Sequence, residues 1–269
     1  MTQDIGSRFR NLHRPGNPFI LANAWDIGSA KLLTALGAEA IGTSSAAQAF
    51  TLGRTDGNIS RDEALSHASD LAAAVNVPIS GDFEDGFGQA PETVAETVRL
   101  AAEAGLAGIS IEDMPGHTQF PYEFDLSVER IRAAASAARA LPNDFVLVAR
   151  ADGVMFGQYD IDEALRRIRA YDAAGADCLY VPMPKTAQDI ARICAATDKP
   201  VNALAAGPYL DTSRTDFAAL GVARISLGSH LARATHSLIH EAAKAMFDNG
   251  DFTSLKSTVP GSTIDALIS

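Results

Sequence analysis

The sequence predicts an α/β fold, a (β/α)8 TIM-type barrel with a long C-terminal helix, filling residues 1-269 as one domain. Three observations carry this reading. Short apolar runs alternate with helical stretches roughly eight times, the repeats are spaced as in a barrel of about 250 residues, and no linker composition interrupts them. An open doubly wound sheet fits that count and spacing less well.

Taken in order, the polar lead-in Met1 to Pro15 precedes a first strand at Phe19–Ala24 and a helix at Ile27–Leu36, stopped by Gly37. Ala40–Thr43 is the second strand. After a polar loop through Asp56, Ser60 caps a helix running to Val75, with Glu63 completing a capping box. Val77–Asp82 is the third strand, and Pro91 begins a helix that Gly105 ends. Gly108–Asp113 and Phe145–Arg150 are strands four and five, separated by the loop Met114 to Asp125 and a helix at Leu126–Leu141. A helix at Ile161–Ala174, a strand at Cys178–Val181, a helix at Lys185–Ala196 and a strand at Pro200–Leu204 follow. A short helix at Phe217–Leu220, a strand at Arg224–Leu227 and a long helix at His230–Phe247 complete the pattern. The Ala-Gly joints around Gly105 and Gly175 fall at the strand N-termini, where barrels keep stability rather than chemistry.

Composition narrows the partners. With 269 residues, 47% of them hydrophobic, the chain can bury a large core. A formal net charge of -11 argues against nucleic acid and anionic membranes, which need a surplus of Lys and Arg. Cys178 and Cys194 lack metal-ligand spacing and suggest no disulfide. No apolar run reaches membrane length and the lead-in carries no apolar targeting core, so a cytoplasmic location is expected.

In a barrel, the residues just past each strand meet in one pocket. Here they are Trp25 and Asp26, Ser44 and Ser45, Asp82 and Glu84, Glu112 and Asp113, Arg150 and Asp152, Tyr180, Asn202, and Ser226 with His230. Asp82 and Glu84 are two apart, so a continuing strand puts both on one face. With Glu112 on the neighbouring strand, they suit a hard cation, Mg2+ or Mn2+, that keeps positions for substrate oxygens. Arg150 offers a two-pronged donor to a carboxylate. The small residues Ser44, Ser45 and Ala46 can present backbone N–H groups to an anion, and Leu204 closes strand seven on the substrate side.

These residues resemble the isocitrate lyase and phosphoenolpyruvate mutase superfamily. The resemblance spans nearly the whole chain and is carried by Thr43-Ser44-Ser45-Ala46, Asp82-Phe83-Glu84-Asp85-Gly86-Phe87-Gly88, Ile111-Glu112-Asp113 and Val148-Ala149-Arg150-Ala151-Asp152. It implies that Asp82 and Glu84 serve Mg2+, that Glu112 orients metal-bound water, and that Asp56 is a loop acid near the metal. It also implies that Ser44, Ser45 and Ala46 bind a substrate carboxylate, and that Arg150, Asn202 and Arg233 contact substrate. A homotetramer whose last helix can be exchanged between neighbours is implied as well.

Two departures shape the expectation. The lyases carry Lys-Lys-Cys-Gly-His after the fourth strand, whereas this loop reads Met114-Pro115-Gly116-His117-Thr118-Gln119-Phe120, without the cysteine acid and without the asparagine of the phosphonate enzymes. Pro182 replaces a lyase Glu after strand six. What survives is the half of the site that binds metal and stabilises an enolate. The expected activity is therefore a Mg2+-dependent lyase or decarboxylase of a small, oxaloacetate-like 2-oxo carboxylic acid, with Arg150, Glu112 and Asp56 catalytic and His117 or Tyr122 supplying the final proton. The alternatives are carbon–phosphorus cleavage of a phosphonopyruvate-type substrate, a non-catalytic 2-oxo acid binding protein, and a phosphate-binding barrel using Gly207 and Gly228.

Overall fold

A computed structural model describes residues 4–116 and 120–269. Eight parallel strands close on themselves in the order β1 to β8: Phe19–Asn23, Ala40–Gly42, Ile79–Asp82, Gly108–Glu112, Val146–Arg150, Cys178–Tyr180, Val201–Leu204 and Arg224–Ser226. Each matches an expected strand within one or two residues. The alternation of side chains along the strands sorts them into two populations. Ile41, Ile79, Ile109, Leu147, Leu179 and Val201 pack outward under the helices. Phe19, Leu21, Val146, Val148, Cys178 and Tyr180 fill the barrel axis.

The helices, in chain order α1 to α11, span Ile5–Leu12, Ile27–Ala35, Ser45–Thr51, Arg61–Ala74, Pro91–Glu103, Phe124–Arg139, Ile161–Ala174, Ala187–Ala195, Arg214–Ala219, His230–Asn249 and Gly261–Ile268. The Ser60–Glu63 capping box at α4 forms as expected. Gly105 and Gly175 take positive φ at the helix ends, a conformation open to glycine without a Cβ penalty.

Three helices lie where the sequence suggested none. The lead-in holds α1, capped by Asp4, whose carboxylate accepts from Ser7 N. It is too short to be stable alone, but it buries Phe9 completely against Phe19 and the barrel axis. The loop after β2 holds α3, capped by Ser44. Beyond α10, α11 turns back onto α2, where Lys31 Nζ donates to Ile268 O at 2.7 Å. In addition, α8 starts at Ala187 because Thr186 takes the cap, and α9 starts at Arg214 because Ser213 and Asp216 form a capping box. Along α10, Leu238, Ile239 and Phe247 stand exposed. Among the described residues, no helix is long and apolar enough to cross a membrane.

Candidate active site

A cavity of about 680 Å3 opens at the C-terminal rim of the barrel. Strand register assembles its wall: Glu112 pairs with Arg150, Arg150 with Tyr180, and Asp82 with Ser110. Inward alternation then delivers Ser80 with Asp82, and Ser110 with Glu112, to the same space. Of the residues singled out from the sequence, Ser44, Ser45, Ala46, Asp56, Asp82, Glu84, Glu112, Arg150, Asp152, Tyr180, Leu204, Ser226, His230 and Arg233 line this cavity.

Arg150 is the hub. Its Nε and Nη2 donate to the two oxygens of Asp152 at 3.1 and 2.7 Å, a bidentate pair that fixes the guanidinium plane. Its Nη1 lies 3.1 Å from Asp82 Oδ1 and 2.8 Å from Glu112 Oε1, and its Cζ stands 5.0 Å from the Tyr180 ring centroid. Burial works against the guanidinium charge, but Asp152, Glu112 and Asp82 outweigh it and raise the pKa well above the usual arginine value. Asp82 is held from its other side by Ser45, whose backbone N and Oγ donate to Oδ2 at 3.0 and 2.8 Å. That contact differs from the expectation that Ser45 offers its N–H to substrate. The start of α3 turns the amide onto Asp82 instead.

The carboxylates are poorly served by comparison. Burial, then the charges of Asp82, Asp56 and Asp85, push the Glu84 carboxyl up to about 8. Its Oε1 is buried without a hydrogen-bond partner among the described residues. Glu84 also takes φ +47°, a left-handed conformation costing a non-glycine residue about 1 kcal/mol or more. That turn is pinned where Glu112 N donates to Glu84 O at 2.8 Å. Gly116 approaches so closely that a Cβ there would lie 2.7 Å from Glu84 Oε2. Burial also raises Glu112 well above the ordinary glutamate value, against the opposing pull of Arg150. At the cavity mouth, desolvation and then the charge of Asp82 raise Asp56.

This donor set of hard oxygens, with an orphaned Glu84 oxygen among them, fits a divalent cation. Among the described residues, no three His, Cys, Asp or Glu side chains stand together as a ready-made cage. Asp82 and Glu112 meet at Arg150 Nη1 instead.

Several expected residues lie elsewhere. Trp25 is outside the cavity wall because the chain has already turned into the Asp26 cap of α2; Trp25 N donates to Ser29 Oγ, and Trp25 O meets His67 Nε2 at 2.9 Å. Asn202 lies behind the wall, bonded to Arg224 and Ser226. Asp113 faces outward as a buried pillar, accepting from Asp152 N, Tyr159 Oη and Arg167 Nη1 at 2.8, 2.7 and 3.0 Å. Tyr122 is no proton donor to the cavity, since its hydroxyl donates to Asp85 Oδ2 at 2.6 Å and Arg130 covers its ring. His117 lies outside the described residues. The strand-end reading missed Asn23 and Arg224. Asn23 ties β1 to β2 and to the turn after β8 through Thr43 O, Leu227 N and Gly228 N. The available signal was period two, since Asn23 and Arg224 stand in phase with Leu21 and Ser226.

Against known protein families, residues 9–247 match the model described as phosphoenolpyruvate phosphomutase. The chain belongs to that family. Within the phosphoenolpyruvate phosphomutase family, it is 33% identical over 242 residues to the uncharacterized protein Rv1998c of Mycobacterium tuberculosis, covering 89% of each chain. It is 27% identical over 251 residues to an oxaloacetate decarboxylase of Chromohalobacter salexigens, covering 88% of this chain and 85% of that one. A crystal structure of a Burkholderia cenocepacia protein described as a lyase/mutase superposes with a TM-score of 0.92 at 47% identity, covering 97% of this chain and 94% of the other.

Proposed function

We propose that the protein is a divalent-metal-dependent lyase or decarboxylase of a small 2-oxo carboxylic acid. The observation that carries this reading is the convergence of Asp82, Glu84 and Glu112 with Arg150 in one rim cavity. Asp82 and Glu84, with Glu112, would hold Mg2+ or Mn2+. When bound, that cation supplies Lewis-acid polarisation of the substrate's 2-oxo and carboxylate oxygens.

The chain's own residues do the rest. Asp82 and Glu112, which accept from Arg150 Nη1, belong to the proposed metal set, and the same Arg150 lines the cavity where substrate would lie. Arg150, its plane fixed by Asp152, stabilises the negative charge that develops on the 2-oxo oxygen as the bond to the third carbon breaks. Asp56 closes the acidic side of the cavity, and Ala46, Leu204 and Arg233 border the substrate. The final proton is assigned to His117 on the β4–α6 loop. Carbon dioxide needs no positioned nucleophile to leave, so the missing loop cysteine does not obstruct a decarboxylation. The resemblance of the chain to an oxaloacetate decarboxylase supports this choice.

The test is turnover of a panel of 2-oxo acids and phosphonopyruvate with Mg2+ or Mn2+, read by product NMR. Asp82→Ala is expected to lower kcat/KM at least about a hundredfold, roughly 2.7 kcal/mol. Activity that survives both Asp82→Ala and EDTA would sink the metal assignment. Faster turnover of phosphonopyruvate than of any 2-oxo acid would move the reaction to carbon–phosphorus cleavage, and tight binding without turnover would make the protein a 2-oxo acid binder. We further propose a homotetramer with α10 exchanged between neighbours, supported by its exposed Leu238, Ile239 and Phe247. Light scattering that returns a monomer mass would rule it out.

A further inference from the structure

Arg224 begins β8, faces the barrel interior and lines the rim cavity, yet it is only 3% exposed. Its Nε donates to Asn202 Oδ1 at 2.9 Å, and Asn202 Nδ2 in turn donates to Ser226 Oγ at 2.9 Å. The Nη1 atom is buried and meets no acceptor among the described residues. Among those residues Arg224 forms no ion pair either. Asp82, the acid whose charge it feels, is already bonded to Ser45 and Arg150.

A guanidinium stays protonated inside proteins, and a buried charge without a partner costs several kcal/mol. Burial disfavours the Arg224 charge, and nearby Arg150 adds to that. The chain nevertheless places this cation on the wall of an open cavity, beside the hydroxyl-bearing Ser226 and Tyr180. No packing role needs a charge there, since an aliphatic residue would fill the same volume at lower cost. An anion entering the cavity would relieve the cost.

We propose that Arg224 and Ser226 form a carboxylate subsite within the cavity, separate from Arg150, so that the ligand class is a dicarboxylate rather than a monocarboxylate. Combined with the 2-oxo acid reading, on which this step rests, the substrate is a 2-oxo dicarboxylate. Its second carboxylate pairs with Arg224. Asn202 acts as a positioning residue, fixing Nε so that the remaining N–H groups are left for the ligand.

The test is calorimetric binding to the full chain without added metal, with oxalate, malonate, succinate and glutarate as probes against acetate, propionate, butyrate and valerate. At least one dicarboxylate is expected to bind tenfold or more tighter than the monocarboxylate of equal carbon number. Arg224→Gln is expected to bring that ratio to within twofold while leaving the ligand-free melting temperature unchanged or raised. A residue with a merely structural role would lower it. Arg224→Lys is expected to keep part of the preference. Equal binding of the two series by the unaltered protein, or a preference that persists in Arg224→Gln, overturns the proposal, and the first of these needs no variant to fold. Turnover is not read here. A preference that depends on Arg224 in a protein that turns over no 2-oxo acid would leave this subsite standing and the lyase reading fallen.

Discussion

The two ends of the barrel treat their charges oppositely. At the N-terminal end, Arg10 Nε and Nη2 donate to Asp144 at 2.7 to 2.9 Å, Arg10 Nη1 donates to Asp177 at 2.7 Å, and Arg139 also reaches Asp177. Asp177 Oδ2 accepts from Leu147 N as well, so Arg10, Arg139, Asp144 and Asp177 are all paired. At the C-terminal rim, one guanidinium is shared among Asp82, Glu112 and Asp152, and Glu84 keeps an oxygen without a hydrogen-bond partner among the described residues. Deeper in the same cavity, at the start of β8, Arg224 has no ion pair among them. Matched charges and a sealed apolar plug are what stability selects. Unresolved charges in a cavity mark the end at which a ligand completes the structure.

The largest expected effect lies at the plug. Phe9 is fully buried, with its ring 4.7 Å from that of His13 and 6.0 Å from that of Phe19, both edge-on. Phe9→Ala should cost about 3–5 kcal/mol of unfolding free energy in urea titrations. Turnover per folded molecule should stay within about twofold, because the plug lies at the far end from the rim; a parallel loss of turnover would show that the two ends are not independent.

At the rim the effect should be on activity instead. Arg150→Lys removes the fork that grips Asp152 and leaves one ammonium for three acids. We expect kcat/KM to fall at least about a hundredfold, roughly 2.7 kcal/mol, with unfolding free energy changing far less. An unaltered kcat/KM would take Arg150 out of the substrate site.

The smallest expected effect also lies at the plug. Burial first, then the charge of Arg224, hold the His13 imidazole down to about 3. The unfolded chain takes up this proton near pH 6.5 and the folded chain does not, so stability is complete above that pH and is lost as pH falls from about 6.5 toward 3. The slope is about 1.4 kcal/mol per pH unit. Between pH 6.5 and 5 the protein should lose about 2 kcal/mol that a His13→Gln variant keeps. Equal losses in the two proteins would take His13 out of the acid response; the rim carboxyls Glu84 and Glu112, raised in the folded state, act with the opposite sign and gain stability as pH falls.

Much of this was legible in the chain. Alternating strands and helices, with glycine stops at Gly105 and Gly175, sufficed for the barrel, because period and turn chemistry are local properties. The same logic found Asp82, Glu84, Glu112 and Arg150, which sit at strand C-termini where any barrel of this type opens its cavity. Closure decided the rest. The Ile5–Leu12 helix exists because Phe9 finds the barrel axis, a gain that no local propensity contains. Asp113 points outward to Arg167 because alternation at a strand end sends it to the face opposite Glu112, and Tyr122, in the loop tied by its N–H to Asp113 O, bonds Asp85 instead of the cavity. Arg224 stands at the wrong end of its strand for a reading of strand ends. Only the pairing of β8 with β7 places it against Asn202 and on the cavity wall. Sequence alone determined which polar side chains the strand ends carry, and the closed sheet decided which of them face one another, since facing depends on register and tilt between strands far apart in the chain.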